Sequence, residues 1–262
     1  MGGNGVQMSR YFVKNNQMDS GRITIAGEDY QHLKKVLRAV KGDVITVCCD
    51  GTDFLAEIEE IGNDSIFSRI INQERNTTEP DLKVTLYQGL PKSDKMEFII
   101  QKCVELGVTE IVPLITERCI SKINTDKDSR SKISRWQKIA LEAAKQCNRG
   151  IVPMIGEPLK FEEAVLLASK KDLSIIPYEK ESAIGFRGIA AQCDRVFDAS
   201  IFIGPEGGFT EQEIQLAESR NIKKITLGPR ILRTETAGMV ALSLMMYELG
   251  DVSNGRTKVC GC

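Results

Sequence analysis

The chain has 262 residues, enough for one large domain or two ordinary ones, with 42% hydrophobic and 27% charged residues. A formal net charge of −1 excludes the global basic field that advertises nucleic acid, and no apolar run reaches the ~20 residues of a membrane span. With one histidine, His32, and no Cys-x-x-Cys pair among eight cysteines, neither a zinc site nor a histidine-based nucleophile is expected.

The start, MGGNGVQMSRYF, lacks the apolar core of a signal peptide, and Met8 offers a second start that leaves residues 1–7 as an extension. Thiols scattered from Cys48 to Cys262 suit a reducing cytosol, so a cytoplasmic location and no membrane association are expected. Residues 28–38 read as a short basic helix, with His32 a surface or half-buried helix histidine. Residues 44–71 read as β: VITVCC and FLAEIEEI flank Asp50-Gly51, a pair that supplies the positive φ angles of a tight hairpin, and SIFSRII follows a Gly62-Asn63-Asp64 turn. This predicts a small β-barrel over 8–75. The polar stretch NQERNTTEPD (72–81) reads as a linker.

From residue 82 to 251 the rhythm changes. KVTLYQG, EIVPLIT, DLSIIP, ASIFIG and KKITLG are strand-like. DKMEFIIQKCVELG, the basic segment from Arg130 to Cys147, FEEAVLLASKK, TEQEIQLAESR and TAGMVALSLMMYELG are helical. Such alternation predicts an α/β domain, a parallel sheet with helices on both faces. The residues from 252 to 262 form a tail. Between Arg118 and Arg149, nine basic residues (Arg118, Lys122, Lys127, Arg130, Lys132, Arg135, Lys138, Lys145, Arg149) face three acids (Asp126, Asp128, Glu142). That excess suits phosphate binding, although a solvated helix face gives the same pattern.

Two strands end alike, IFIG-Pro-Glu-Gly-Gly at Gly204 and ITLG-Pro-Arg at Gly228, and a third ends at Pro177. Ligands of open parallel sheets gather outside the carboxyl ends of strands, and glycine there lets a ligand approach the backbone. Thr210-x-x-Glu213 is a capping box that by itself accounts for a turn into a helix. It does not account for Glu206 or for the second Gly-Pro. In the stretch LGPRILRTETAG, Thr234 and Thr236 are candidate N-caps, and Glu235 suits a helix N-terminus. Arg233 does not suit it, so an anionic or carbonyl partner is expected: Glu206, Glu235, a phosphate or a substrate oxygen.

IGPEGGFTEQEI (203–214) and LGPRILRTETA (227–237) together resemble the signature of the RsmE family, SPOUT-class methyltransferases of small-subunit ribosomal RNA. SRYF, HLKKVLRAVKGD, KMEFIIQKCVELGVTEIVPL and WQKIALEAAKQCNRGIVP are similar to the same family more loosely. The resemblance implies an N-terminal PUA-like β-barrel and a C-terminal α/β domain tied in a trefoil knot. It implies methylation of N3 of a uridine in 16S ribosomal RNA, free or in the assembled 30S subunit, by a homodimer joined through the SPOUT domain. The implied cofactor is S-adenosylmethionine, held by Pro177, Gly204, Pro205, Glu206, Gly207, Leu227, Gly228 and the segment Leu232, Arg233, Thr234, Glu235, Thr236 and Ala237. No metal is implied. Arg233 is the candidate stabiliser of charge developing on the uracil, Glu235 orients Arg233 or takes the proton, and Glu206 is the alternative. Arg10, Arg22, Arg38, Lys132, Arg135 and Arg149 are the candidate phosphate contacts. The alternatives are a related knotted enzyme acting on a ribose 2′-hydroxyl or another base, a non-catalytic RNA-binding assembly protein, and a small-molecule nucleotide enzyme.

Overall fold

The computed structural model describes residues 10–120 and 125–252. The extension 1–7, Lys122 of the basic stretch and the tail beyond Val252 lie outside the described residues. Up to Glu79, together with Ala144–Ile151, the described residues form one compact unit; Pro80–Ala143 with the residues from Val152 onward form a second.

The first unit is a six-stranded sheet in the order β1-β4-β5-β6-β3-β2, built from β1 (Arg10–Phe12), β2 (Met18–Asp19), β3 (Arg22–Ala26), β4 (Val44–Cys49), β5 (Thr52–Ile61) and β6 (Ser65–Arg75). Asp50 and Gly51 adopt φ 45° and 76°, as the hairpin requires. Register shifts at Leu55/Ala56, with the extra residue Ile71 in β6, and at Ile58/Glu60, with Glu59 extra in β5, mark bulges that bend this pair of strands. Tyr11, Ile23, Ile25, Val47, Ala56, Ile58 and Ile66 meet in one core with Tyr30 of α1 (Gly27–Gln31) and with Leu33. Leu33 lies in the π-helical turn His32–Val36. The expected linker is strand through Arg75, because β6 continues its pairing with β5 as far as Thr52↔Arg75. The N-terminal strands β1–β3 were not legible as strands; they are short, and polar residues interrupt them.

Two of the six candidate phosphate contacts are committed inside this unit, which corrects the expectation. The guanidinium of Arg10 donates to both carboxylate oxygens of Asp53, at 2.7 and 3.0 Å, and is 11% exposed. Arg149 is held by Glu79 at 2.7 Å and is 4% exposed, and Glu79 also accepts from the amides of Gly150 and Ile151. Each arginine neutralises a carboxylate in place rather than waiting for a phosphate.

The second unit is a parallel sheet in the order β10-β8-β7-β12-β11-β13, with β9 beside β8. Its strands are β7 (Lys83–Gly89), β8 (Glu110–Ile115), β9 (Met154–Ile155), β10 (Leu159–Lys160), β11 (Leu173–Pro177), β12 (Asp198–Ile203) and β13 (Lys223–Ile225). The central strands are buried almost continuously, as a sheet covered on both faces must be. Tyr87 and Phe202 face α4 (Phe161–Ala168) and α6 (Glu211–Ser219) in one core. On the other face, α2 (Lys95–Glu105) and α5 (Phe186–Ala190) pack against α7 (Thr234–Glu248). Gly107 ends α2 with φ 93°. The long basic helix α3 (Asp126–Gln146) buries Trp136 and Ala140.

Burial pushes the Asp53 carboxyl up, but hydrogen bonds from Arg10, Cys48 and Asn76 outweigh it and hold the group below its ordinary value. A folded value below the unfolded one adds stability that is complete above the ordinary carboxylate range and is lost as pH falls through the folded value. Asp53→Asn is therefore expected to destabilise the protein by about 3 kcal/mol at neutral pH, by leaving Arg10 unpaired, and to flatten the acid loss of stability. Urea unfolding midpoints at neutral and acidic pH measure both effects.

Candidate functional site

The strand order places β7, β12, β11 and β13 side by side, so their carboxyl ends at Gly89, Ile203, Pro177 and Ile225 adjoin. Outside these ends lies a cavity of about 840 Å³. Gly204, Pro205, Glu206 and Gly207 line it from β12, and Leu227, Gly228, Leu232, Arg233, Thr234 and Ala237 line it from the segment after β13, with Pro177 between. The two Gly-Pro strand ends thus share one hollow. Glu235 and Thr236, expected on the same wall, do not line it.

Backbone packing shapes the hollow. A Cβ on Gly89 would lie 2.5 Å from the Pro205 nitrogen, so the β12 loop lies directly against the end of β7. Gly228 has φ 102° with open space where a Cβ would stand, which leaves bare backbone on the wall. Gly208, at φ 65°, turns the chain toward α6, whose capping box forms as expected: Thr210 Oγ1 accepts from the Glu213 amide at 3.2 Å, and Glu213 Oε2 from the Thr210 amide at 2.8 Å. The Arg118 guanidinium donates to the Gly207 carbonyl at 2.9 Å.

Neither threonine caps α7. Its N-cap is Arg233, with no side-chain cap bond. The buried Thr234 hydroxyl instead donates to the Gly204 carbonyl at 2.6 Å and accepts from Gln88 Nε2 at 2.9 Å. One hydroxyl therefore ties α7 to the ends of both β7 and β12. Thr236 has no side-chain hydrogen bond among the described residues.

The charges are also arranged differently from the expectation. Among the described residues Arg233 has no ion pair, with Glu206 or with Glu235; its side chain is exposed at the cavity. Lys95 takes both carboxylates, with Nζ 3.3 Å from Glu206 Oε1 and 3.2 Å from Glu235 Oε2. Glu206 Oε1 also accepts from the Lys92 amide at 3.1 Å. Burial pushes the Glu206 carboxyl up, but its own backbone amide, that of Lys92 and the Lys95 ammonium outweigh it and hold the group below its ordinary value. The Glu235 carboxylate beside it raises the Lys95 pKa, against burial, with Glu206 adding to the rise.

Lys95 was missed from the sequence, although KVTLYQG is a third strand ending in glycine and points to the loop that delivers it. Glu179, Glu181 and Ser182 were missed as well; they line the cavity from the segment after Pro177. Bonds within the segment hide this role from pattern reading: Glu181 accepts from the Ala183 amide at 2.8 Å, which holds its carboxyl below the ordinary value. Of the remaining candidate phosphate contacts, Arg38 is exposed, Arg22 is exposed beside Glu59, Lys132 pairs with Asp128, and Arg135 pairs with Glu97.

Known proteins resemble this chain over most of its length. The family model for an RNA methyltransferase domain matches residues 78–246, and that for an RNA methyltransferase PUA domain matches 25–71. Ribosomal RNA small subunit methyltransferase E of Bacillus subtilis is 35% identical over 250 residues, covering 92% of this chain and 97% of that protein. A Neisseria gonorrhoeae enzyme of the same name, solved bound to S-adenosyl methionine, is 31% identical with a TM-score of 0.82, covering 94% of this chain and 99% of its own. A Legionella pneumophila protein solved with the cofactor SAM is 34% identical with a TM-score of 0.84, covering 94% of this chain and all of its own.

Thr234→Val removes the donor to Gly204 and is expected to lower stability by about 1–3 kcal/mol, the penalty for a buried carbonyl left without its partner. Thr236→Val, which breaks no such bond, should stay within about 0.5 kcal/mol of the parent. Chemical unfolding of the two variants separates the roles of the two candidate caps.

Proposed function

This chain belongs to the ribosomal RNA small subunit methyltransferase E family, and on that premise we propose that it transfers a methyl group from S-adenosylmethionine to N3 of a uridine in 16S ribosomal RNA. The observation that carries this reading is the single hollow at the adjoining strand ends, which brings Gly204–Gly207 and Leu227–Ala237 together. The residues present fit the cofactor. The volume lies within the ~300–1,000 Å³ of small-molecule sites. The glycine-rich walls offer bare backbone, and carboxylates at Glu179, Glu181 and Glu206 suit ribose hydroxyls and a cation. Pro177, Gly204, Pro205, Glu206, Gly207, Leu227, Gly228, Leu232, Thr234 and Ala237 are the residues proposed to hold it. When bound, the cofactor supplies an electrophilic methyl group on a sulfonium.

The chain's own residues must align the acceptor and manage its proton. Neutral uridine carries a proton on N3 and is a poor nucleophile until that proton leaves. Arg233, exposed at the cavity with no ion pair among the described residues, is proposed to stabilise the negative charge on one uracil oxygen. Glu206, which lines the cavity, is proposed to accept the proton; Glu235 lies behind Lys95 and is less well placed for it. Arg22, Arg38, Lys132 and Arg135 are the proposed phosphate contacts. The knotted chain path, the assembly state of the substrate and a cytoplasmic location belong to the same reading. Among the described residues no helix is long and apolar enough to cross a membrane.

We also propose a homodimer through α7. A helix apolar all round belongs in an interior, yet α7 leaves Leu244 and Tyr247 exposed, at 37% and 54%, on one face with Val240. Leu244→Lys is expected to yield a monomer in light scattering; an unchanged mass sinks the interface.

The function is tested by primer extension on ribosomal RNA from cells with and without the protein. An N3-methyl blocks the pairing edge and is expected to stop the polymerase at one uridine of the small-subunit RNA only when the protein is present. A ribose 2′-O-methyl leaves that edge free, so a missing stop sinks the assignment to N3. Arg233→Ala should lower kcat by about 100-fold or more, as loss of one charge-stabilising donor does, while cofactor affinity changes little. Loss of affinity with kcat intact makes Arg233 a binding residue only.

A further inference from the structure

Lys95 stands at the first position of α2, where the loop from the end of β7 reaches the cavity, and its side chain forms part of the cavity wall. An ammonium has three N–H donors. Two serve carboxylates at ion-pair distance: Glu206, which lines the cavity, and Glu235, which reaches Lys95 from α7 without lining the cavity itself. No other described residue accepts from Nζ. The lysine is thus anchored from behind and from the side, with one donor left over at a ligand-sized hollow. Glu235 in turn has Oε2 buried with no aligned hydrogen bond, and the Lys95 ammonium at 3.2 Å is the one cation that pairs with it among the described residues.

The acceptor chemistry needs such a donor. N3 of a uracil lies between two carbonyl groups, and once its proton leaves, the negative charge spreads over both oxygens. A single guanidinium at Arg233 serves one of them. We propose that Lys95 is a catalytic residue that donates its third N–H to the other flanking oxygen, and that Glu235 is the positioning residue that holds Lys95 there. This deepens the methyl-transfer reading and rests on it. The N3 proton passes to the Glu206 carboxylate and then to solvent. The N3 electron pair forms the bond to the methyl carbon, and the carbon–sulfur pair departs with sulfur, so the charges on sulfur and on the ring cancel.

The test begins with the uridine mapped by primer extension. A target RNA carrying 5-fluorouridine at that position is bound to the protein with S-adenosylhomocysteine, which cannot transfer a methyl, and its N3–H is titrated by ultraviolet absorbance. Wild type is expected to lower that pKa relative to free RNA, and Lys95→Met to return it toward the free value. In turnover, Lys95→Met should lose about 100-fold or more in kcat and regain rate as pH rises, because solution base then ionises the acceptor. Lys95→Arg, which keeps the charge and the anchoring acids, should retain part of the activity even if Lys95→Met folds poorly. Glu235→Gln should lower kcat alone but add nothing in the Lys95→Met background. An unchanged fluorouridine pKa in Lys95→Met, or additive losses in the double variant, overturns the assignment of Lys95 while leaving methyl transfer standing. A wild-type protein that leaves no stop on small-subunit RNA overturns the methyl-transfer reading and this inference with it.

Discussion

The site depends on one hydroxyl. Thr234 sits where α7 begins, and its oxygen joins Gln88 at the end of β7 to the carbonyl of Gly204 at the end of β12. Backbone carbonyls at strand ends have left the ladder and need a partner when water is excluded. A side chain from a helix far along the chain supplies it here, and so fixes where that helix starts relative to two strands. Gln88 reinforces the junction by donating also to the Gly89 carbonyl at 3.0 Å. With α7 pinned in this way, Arg233 falls at the cavity and Glu235 falls one step inside, within reach of Lys95.

The electrostatics follow from that placement. Two carboxylates share one ammonium, while the arginine at the helix entrance has no anion among the described residues. A cation at the positive end of a helix is normally unfavourable, and the fold leaves this one exposed, where solvent screens it, rather than pairing it. The shape of the cavity wall is set by close approach at Gly89 and by positive φ at Gly208 and Gly228. Charges of both signs line it, from Lys95, Arg230 and Arg233 and from Glu179, Glu181 and Glu206. This arrangement suits a reaction in which opposite charges on donor and acceptor disappear together.

Much of this was legible in the chain and some was not. The parallel sheet, the hairpin at Asp50-Gly51, the capping box at Thr210 and the shared hollow below Gly204 and Gly228 all come from local signals, namely alternation, turn residues and strand-end glycines. The errors are of one kind. Arg10 and Arg149 read as free cations because the partners that neutralise them, Asp53 and Glu79, are 43 and 70 residues away in sequence. Of the partners expected for Arg233, both carboxylates, Glu206 and Glu235, are taken in space by Lys95, which stands 111 and 140 residues from them in the chain. Thr234 passed for a cap because a cap is a local motif, while its actual bonds span 146 and 30 residues. Periodicity reports which face a residue occupies, but not which distant group waits there.

The first unit is closed by a segment that arrives late. Ala144–Ile151 belongs to it, although the residues on both sides, up to Ala143 and from Val152, belong to the second. The carbonyl of Gly150 accepts from the Gly51 amide, and the side chain of Arg149 carries the charge that satisfies Glu79. The chain therefore crosses between the units three times, and neither unit corresponds to one uninterrupted stretch of gene. During synthesis from the amino terminus, the first unit stays incomplete until Ile151 has emerged, by which time β7, β8 and α3 have already been made. Division after residue 79 takes Arg149 from Glu79 and Lys145 from Asp29, so the protein resists separation into independently expressed halves.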